Sequence, residues 1–192
     1  HNKMLQKKQL NCLFIATPTR FHADMATQGL ELGLHLFVEK PFCLDPADSA
    51  RLTKLATDKG LVTQVGYHNR FVGSFCVAKR LLAEGIIGEV HHYLAEAYGP
   101  VVLKEKGGTW RSSRTEGGGC LYDYASHVVN LAEFLVGPAD KASGSILQSI
   151  FSKDVDDAVY CTLTYKNGQS GQISVNWSDE TYRKMTTQVT LY

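Results

Sequence analysis

The sequence predicts two folds in succession: a parallel α/β piece, then an antiparallel α+β piece, joined near residue 66. Three observations carry this. Short apolar runs alternate with helical patterns as far as Tyr67. Only strand patterns follow the helix that stops at Gly137-Pro138. Asn167-Gly168 is a strong hairpin signal, and hairpins belong to antiparallel pairing. Strand, helix, strand, helix, strand at close spacing demands a parallel sheet with right-handed crossovers.

Taken in order, Leu10–Ala16 is a short apolar strand stopped by Thr17-Pro18-Thr19. Phe21–Leu32 has helical periodicity through Met25, Leu30 and Leu32, with Gly33 where a helix would end. Leu34–Val38 is a second strand, running into Glu39-Lys40-Pro41. Asp45-Pro46-Ala47-Asp48 opens a helix with a capping Asp and a first-turn Pro, and the helix runs to about Lys59-Gly60. Leu61–Tyr67 is the third strand. Phe75–Glu84 is an amphipathic helix closed by Gly85, and Glu89–Tyr98 a long strand. A polar loop from Pro100 to Thr115 carries Trp110-Arg111. Gly117-Gly118-Gly119 leads into a helix from about Leu121 to Leu135. Ser143–Phe151, Asp157–Tyr165 and Gln169–Trp177 are extended, and a last strand starts near Lys184. The first strand lacks lead-in residues and the last has no terminator, so the sequence reads as the middle of a longer chain.

Charge and composition exclude some functions. Twenty Lys and Arg against 19 Asp and Glu leave a net charge of +1, no field to attract a phosphate backbone, so nucleic acid is not an expected partner. No apolar run reaches the ~18 residues of a membrane span, and no signal-peptide pattern occupies the first 30 residues. A cytoplasmic protein is expected. The five cysteines, Cys12, Cys43, Cys76, Cys120 and Cys161, lie at least 31 residues apart with no Cys-x-x-Cys pair. They read as reduced, small core residues. His91 and His92 are adjacent on a strand and point to opposite faces, which argues against a shared metal. No metal site is expected.

Two places could carry chemistry. Lys40 lies at the carboxyl end of a parallel strand, where open α/β sheets place their ligand crevice, and Pro41 restricts it to extended geometry. A lysine so held could set an ammonium beside a reacting hydroxyl. It could equally be a solvated lysine before a turn. Asp123, His127 and Asn130 share one face of the helix after the triple glycine. A carboxylate one turn from an imidazole would orient it as a general base, though such pairs are also common as plain structure. The glycine run fits neither Gly-x-Gly-x-x-Gly nor a Walker loop, so close backbone approach at a helix start explains it better.

In register along the chain stand Ala16-Thr17-Pro18-Thr19 with His22, then Glu39-Lys40-Pro41, Gly66-Tyr67 with Arg70-Phe71, Trp110-Arg111, and Gly117-Gly118-Gly119 with Asp123 and His127. This series resembles the glucose-fructose oxidoreductase/inositol dehydrogenase (Gfo/Idh/MocA) family of nicotinamide-dependent sugar and polyol oxidoreductases, over nearly the whole chain. The resemblance implies a partial Rossmann parallel sheet over residues 1–66, the carboxyl-terminal part of an NAD(P)-binding domain. Residues 67–192 would then be an α/β domain for substrate binding and oligomerisation, with a large open antiparallel sheet. It also implies hydride transfer between NAD or NADP and a hydroxyl-bearing carbon of a sugar or polyol. Lys40, Asp123 and His127 take the catalytic positions, with His127 the proton acceptor. Thr17, Pro18, His22, Glu39 and Lys40 fall on the cofactor side. His68, Arg70, Trp110, Arg111, Asp123, His127 and Asn130 fall on the substrate side.

Many members have Gly where Ala125 stands and Asp where Asn130 stands; the second change removes a carboxylate from the substrate face. These 192 residues contain no glycine fingerprint for a pyrophosphate, so alone they are expected to hold NAD(P) poorly and to be inactive. Two other readings compete: a non-catalytic sensor of sugars or nucleotides, or a scaffold; and glycosidic-bond cleavage by transient oxidation. Finally, Val159, Cys161, Leu163 and Tyr165 alternate with Tyr160, Thr162 and Thr164, and across the turn Ile173, Val175 and Trp177 alternate with Gln172, Ser174 and Asn176. The apolar face can cover the helices. The hydroxyl-rich face suits a second sheet, and together with the resemblance it implies a homo-oligomer, most simply a dimer.

Overall fold

A computed structural model describes residues 5, 10–105 and 108–192, in two units: residues 1–66 with 115–117, and residues 67–114 with 118–192. The expected loop from Pro100 to Thr115 includes Lys106 and Gly107, which lie outside the described residues.

The first unit alternates β1 (Cys12–Ile15), α1 (His22–Glu31), β2 (His35–Val38), α2 (Pro46–Asp58) and β3 (Thr63–Val65). The strands lie in the order β1-β2-β3 and every pairing is parallel, with Ile15 opposite Val38 and Val38 opposite Val65. Because a strand alternates its faces, Leu13, Ile15, Leu36 and Val38 point together onto Ala26 and Leu30 of α1 and Leu52 and Ala56 of α2. Each fully buried leucine here is worth about 2 kcal/mol. Gly29 lets α1 close on the sheet, since a Cβ there would lie 2.8 Å from the Leu36 side chain. Asp45 caps α2 by accepting from Ala47 N at 2.8 Å, and Pro46 fills the first turn. α1 ends as expected, with Gly33 at φ +77° and Leu34 N returning to Gly29 O.

The second unit contains α3 (Gly73–Ala83), β4 (His92–Tyr98), a π-helical turn (Leu121–Ala125) running directly into α4 (Ser126–Val136), and then β5 (Lys141–Gln148), β6 (Ala158–Thr164), β7 (Ser170–Asn176) and β8 (Thr186–Leu191). The apolar face of the sheet, with Tyr93, Ala97, Val159, Leu163, Val175 and Trp177, packs on Tyr124, Val128 and Ala132. This is the face that strand alternation marks as the helix-covering one. Gly171 stands opposite Tyr93, whose ring occupies the space a Cβ would need.

Several expectations are corrected. The sheet is mixed rather than wholly antiparallel: its order is β5-β6-β7-β4-β8, and β4 pairs parallel with β7. The other pairings are antiparallel. Strand patterns reveal faces but not neighbours, so the insertion of β4 between β7 and β8 left no local trace. β5 stops at Gln148 instead of Phe151, because the Asp157 carboxylate takes the N–H groups of Ile150, Phe151 and Ser152 at 2.7 Å. The hairpin itself falls where expected, with a three-residue loop, Tyr165 N bonded to Gln169 O and Gly168 at φ +86° closing it. Cys12 and Cys76 are exposed rather than core. Cys12 sits on the β1 face away from the helices, and α3, which carries Cys76, buries none of its residues. Burial pushes the thiols of Cys43, Cys120 and Cys161 above their ordinary range. Among the described residues no helix is long and apolar enough to cross a membrane, and no cluster of three His, Cys, Asp or Glu side chains could hold a metal ion.

Candidate active site

In the first unit the loops after β1 and β2 are neighbours at the carboxyl edge of the sheet. Glu39 N donates to Ile15 O at 2.8 Å and Gly66 N to Val38 O at 2.9 Å, so the strand ladder continues into the loops. Pro18 holds extended backbone (φ −56°, ψ 143°) before a short 3₁₀ turn, Thr19–Phe21, that feeds α1. Thr17, Glu39 and Lys40 are half-buried, Pro18 is exposed, and the Lys40–Pro41 peptide is cis. The Glu39 carboxylate accepts from Lys40 N at 3.3 Å and lies over Gly66, where a Cβ would stand 3.1 Å from it.

His22 departs from its expected place against a cofactor. Its ring is 1% exposed, with Nδ1 3.0 Å from Pro41 O and Nε2 2.8 Å from Thr17 O. Both nitrogens face backbone carbonyls, which leaves neither for a ligand.

In the second unit the glycine run does mark close backbone approach. A Cβ on Gly118 would stand 2.5 Å from Trp110 O and nearer still to Arg111 O. On Gly119, at φ +106°, it would meet the Asp156 carboxylate at 2.8 Å. Asp156 then accepts from Leu121 N at 2.6 Å, an acidic cap on the helical segment that carries the expected residues. Asp123 falls in the π-helical turn, a feature often found at functional sites, rather than in a regular α-helix. It is 7% exposed, and its Oδ2 accepts from Arg111 Nε at 3.1 Å. The Arg111 guanidinium lies 4.5 Å from the Trp110 ring centroid, so Trp110, Arg111 and Asp123 form one cluster.

His127 is 5% exposed, with the His68 ring 5.0 Å away and Tyr67 5.9 Å away, both edge-on. Burial pushes the Tyr67 phenol above its ordinary value, opposed by its hydrogen bond with the Ser126 side chain. Asn130 pairs through its Oδ1 with Arg70 Nε at 2.7 Å, and Arg70 also approaches Glu133 at 3.9 Å and the Phe134 ring at 5.5 Å.

Sequence reasoning missed Tyr67, Ser126 and Asp156 as parts of this neighbourhood. Tyr67 had a signal, an aromatic directly after Gly66. So had Asp156, half of an acidic pair directly before a strand. Ser126 had none.

Residues 75–191 match the model of the GFO/IDH/MocA C-terminal domain, and residues 1–67 match that of the oxidoreductase family's NAD-binding Rossmann fold. The chain is 27% identical over 180 residues to scyllo-inositol 2-dehydrogenase (NAD(+)) of Bacillus subtilis, covering 91% of this chain and 51% of that protein. It is 25% identical over 202 residues to levoglucosan dehydrogenase of Pseudarthrobacter phenanthrenivorans, covering 88% of this chain and 50% of that one. A solved levoglucosan dehydrogenase in complex with NADH and levoglucosan shares the fold, with a TM-score of 0.93 at 23% identity, over 100% of this chain and 54% of the other. The chain thus spans about half the length of the relatives it matches. With its carboxyl-terminal domain matched over more than half of the 192 residues and its Rossmann portion matched beside it, the chain belongs to the GFO/IDH/MocA oxidoreductase family.

Proposed function

We propose that this chain is part of a cytoplasmic oxidoreductase that moves a hydride between NAD or NADP and a hydroxyl-bearing carbon of a sugar or polyol. Residues 1–66 serve as the carboxyl-terminal part of the Rossmann domain, and residues 67–192 as the substrate-binding and oligomerisation domain. The observation that carries the reading is the surroundings of His127: a buried imidazole faced by His68 and Tyr67, four residues after an Asp123 that is ion-paired to Arg111.

The residues present fit a nicotinamide cofactor. Thr17, Pro18, Glu39 and Lys40 line loops at the carboxyl edge of a parallel sheet, the edge at which such sheets take dinucleotides. When bound, the nicotinamide supplies the hydride acceptor or donor. His127 takes the role of proton acceptor, and Lys40 that of the cation that stabilises developing negative charge. Asp123, held by Arg111, orients the base. Trp110, His68, and Asn130 with its partner Arg70, contact the remaining hydroxyls.

In the complete protein, with scyllo-inositol and levoglucosan as test substrates, Lys40→Ala or His127→Ala should lower turnover by roughly two to four orders of magnitude. NAD affinity should change far less. Steady-state kinetics with normal turnover in both variants would overturn the reading.

The open sheet face, with half-buried Tyr160, Thr162 and Ser174 and exposed Gln172, is proposed to pair with its copy in a homodimer. Light scattering at micromolar concentration should give the mass of a dimer or larger; a monomeric mass would exclude this pairing.

A further inference from the structure

We propose that His22 is a positioning residue that clamps the loop after β1 to the loop after β2, holding Thr17 and the Lys40-Pro41 turn in fixed relation. The proposal rests on the reading of Thr17 and Lys40 as site residues.

The physical need is local. Thr17 O lies two residues past the end of β1 and Pro41 O three past the end of β2, beyond the bond from Glu39 N to Ile15 O. Buried carbonyls without a donor are costly, and Pro41 has no N–H of its own to offer the opposite loop. One planar side chain stands between both: Nδ1 is 3.0 Å from Pro41 O, Nε2 2.8 Å from Thr17 O, and the ring is 1% exposed, so the clamp requires a ring with a proton on each nitrogen, one donated to each carbonyl. His22 is the first residue of α1, and its backbone N–H bonds to Thr19 O, so the ring is anchored from a rigid element. The contacts join residues 5 and 19 positions away in the chain, one in each loop. A site built on two loops needs such a brace, because a displacement of about 1 Å can cost about a hundredfold in rate.

The two arms of the clamp can be tested separately in the complete protein. An Asn side-chain amide overlays the Nδ1 side of a histidine, and a Gln amide the Nε2 side. His22→Asn should keep the Pro41 contact and lose that to Thr17; His22→Gln should do the reverse. Hydrogen–deuterium exchange should therefore quicken around residues 17–20 in His22→Asn and around residues 39–43 in His22→Gln. NADH affinity, titrated by fluorescence, should fall about tenfold in His22→Asn and stay within about threefold in His22→Gln. Loosening of both loops alike in the two variants, or of neither, would overturn the clamp. If the variants fail to fold, the wild-type ring decides: two His22 ring N–H protons, both protected from solvent exchange, are expected, and a ring with only one overturns the clamp. Failure of NADH to bind the wild type would instead count against the proposed function, while the exchange data would still judge the clamp.

Discussion

The two units hold their site residues by different means. In the first, Thr17, Glu39 and Lys40 lie on loops at strand ends, and the bonds that fix those loops run to backbone carbonyls: Glu39 N to Ile15 O, Gly66 N to Val38 O, and the His22 ring against Thr17 O and Pro41 O. In the second, Asp123, His127 and Asn130 lie on one helical segment, and side chains hold them: Arg111 on Asp123, His68 and Tyr67 around His127, Arg70 on Asn130. The difference teaches where each set of residues can tolerate change. A loop braced through backbone atoms can accept many side chains as long as the brace survives. A helix held by side-chain partners is sensitive to each partner and to whatever fixes its start.

The sharpest way to break this comparison lies in the segment that precedes β6. The buried Asp157 carboxylate accepts from Ile150 N, Phe151 N, Ser152 N, Ser152 Oγ and Trp177 Nε1 at 2.6 to 2.7 Å. Asp157→Ala strands these donors, the buried Trp177 Nε1 among them, and should cost about 4 kcal/mol, read by chemical denaturation. Burial alone would raise this carboxyl, but the hydrogen bonds from Ser152, Trp177 and Ile150 outweigh it and hold it below its ordinary value. A carboxyl with a depressed folded value lends stability above the unfolded value of ~3.9 and loses it as pH falls through the folded one. Stability of the wild type should therefore drop as pH is lowered from about 5 toward 2, and Asp157→Ala should flatten that slope. An unchanged slope would mean that other carboxylates dominate.

A smaller effect contrasts glycines from the two units. Gly118→Ala forces a methyl against the Trp110 and Arg111 carbonyls, backbone atoms that cannot swing aside, and should cost about 3 kcal/mol. Gly33→Ala in the first unit meets nothing within 4 Å and suffers only its φ of +77°, worth about 1 kcal/mol. Thermal melts that rank the two equally would show that crowding at the start of the Asp123 segment is relieved by a shift of the loop.

Legibility followed the range of the interaction. The capping Asp45 with Pro46, the glycine ends of the helices, the alternating faces of β6 and β7 and the crowded glycines before Asp123 all declared themselves within a few residues. Arg70 and Asn130, 60 residues apart, did not, and neither did the parallel pairing of β4 with β7. His22 was legible as a member of a motif but not in its office, because that depends on which carbonyls two loops turn inward.

By itself the sequence determined the two-part architecture, the buried faces of β6 and β7 and the residue types of the candidate site. These follow from periodicity, capping and backbone conformation, which act over one or two turns of chain. Tertiary structure alone decided the strand order β5-β6-β7-β4-β8, the π-helical turn that carries Asp123, and the partners Arg111, His68 and Arg70. Those features depend on which buried polar groups and sheet edges meet once the chain is compact, and a donor finds its acceptor by position in space rather than by position in sequence.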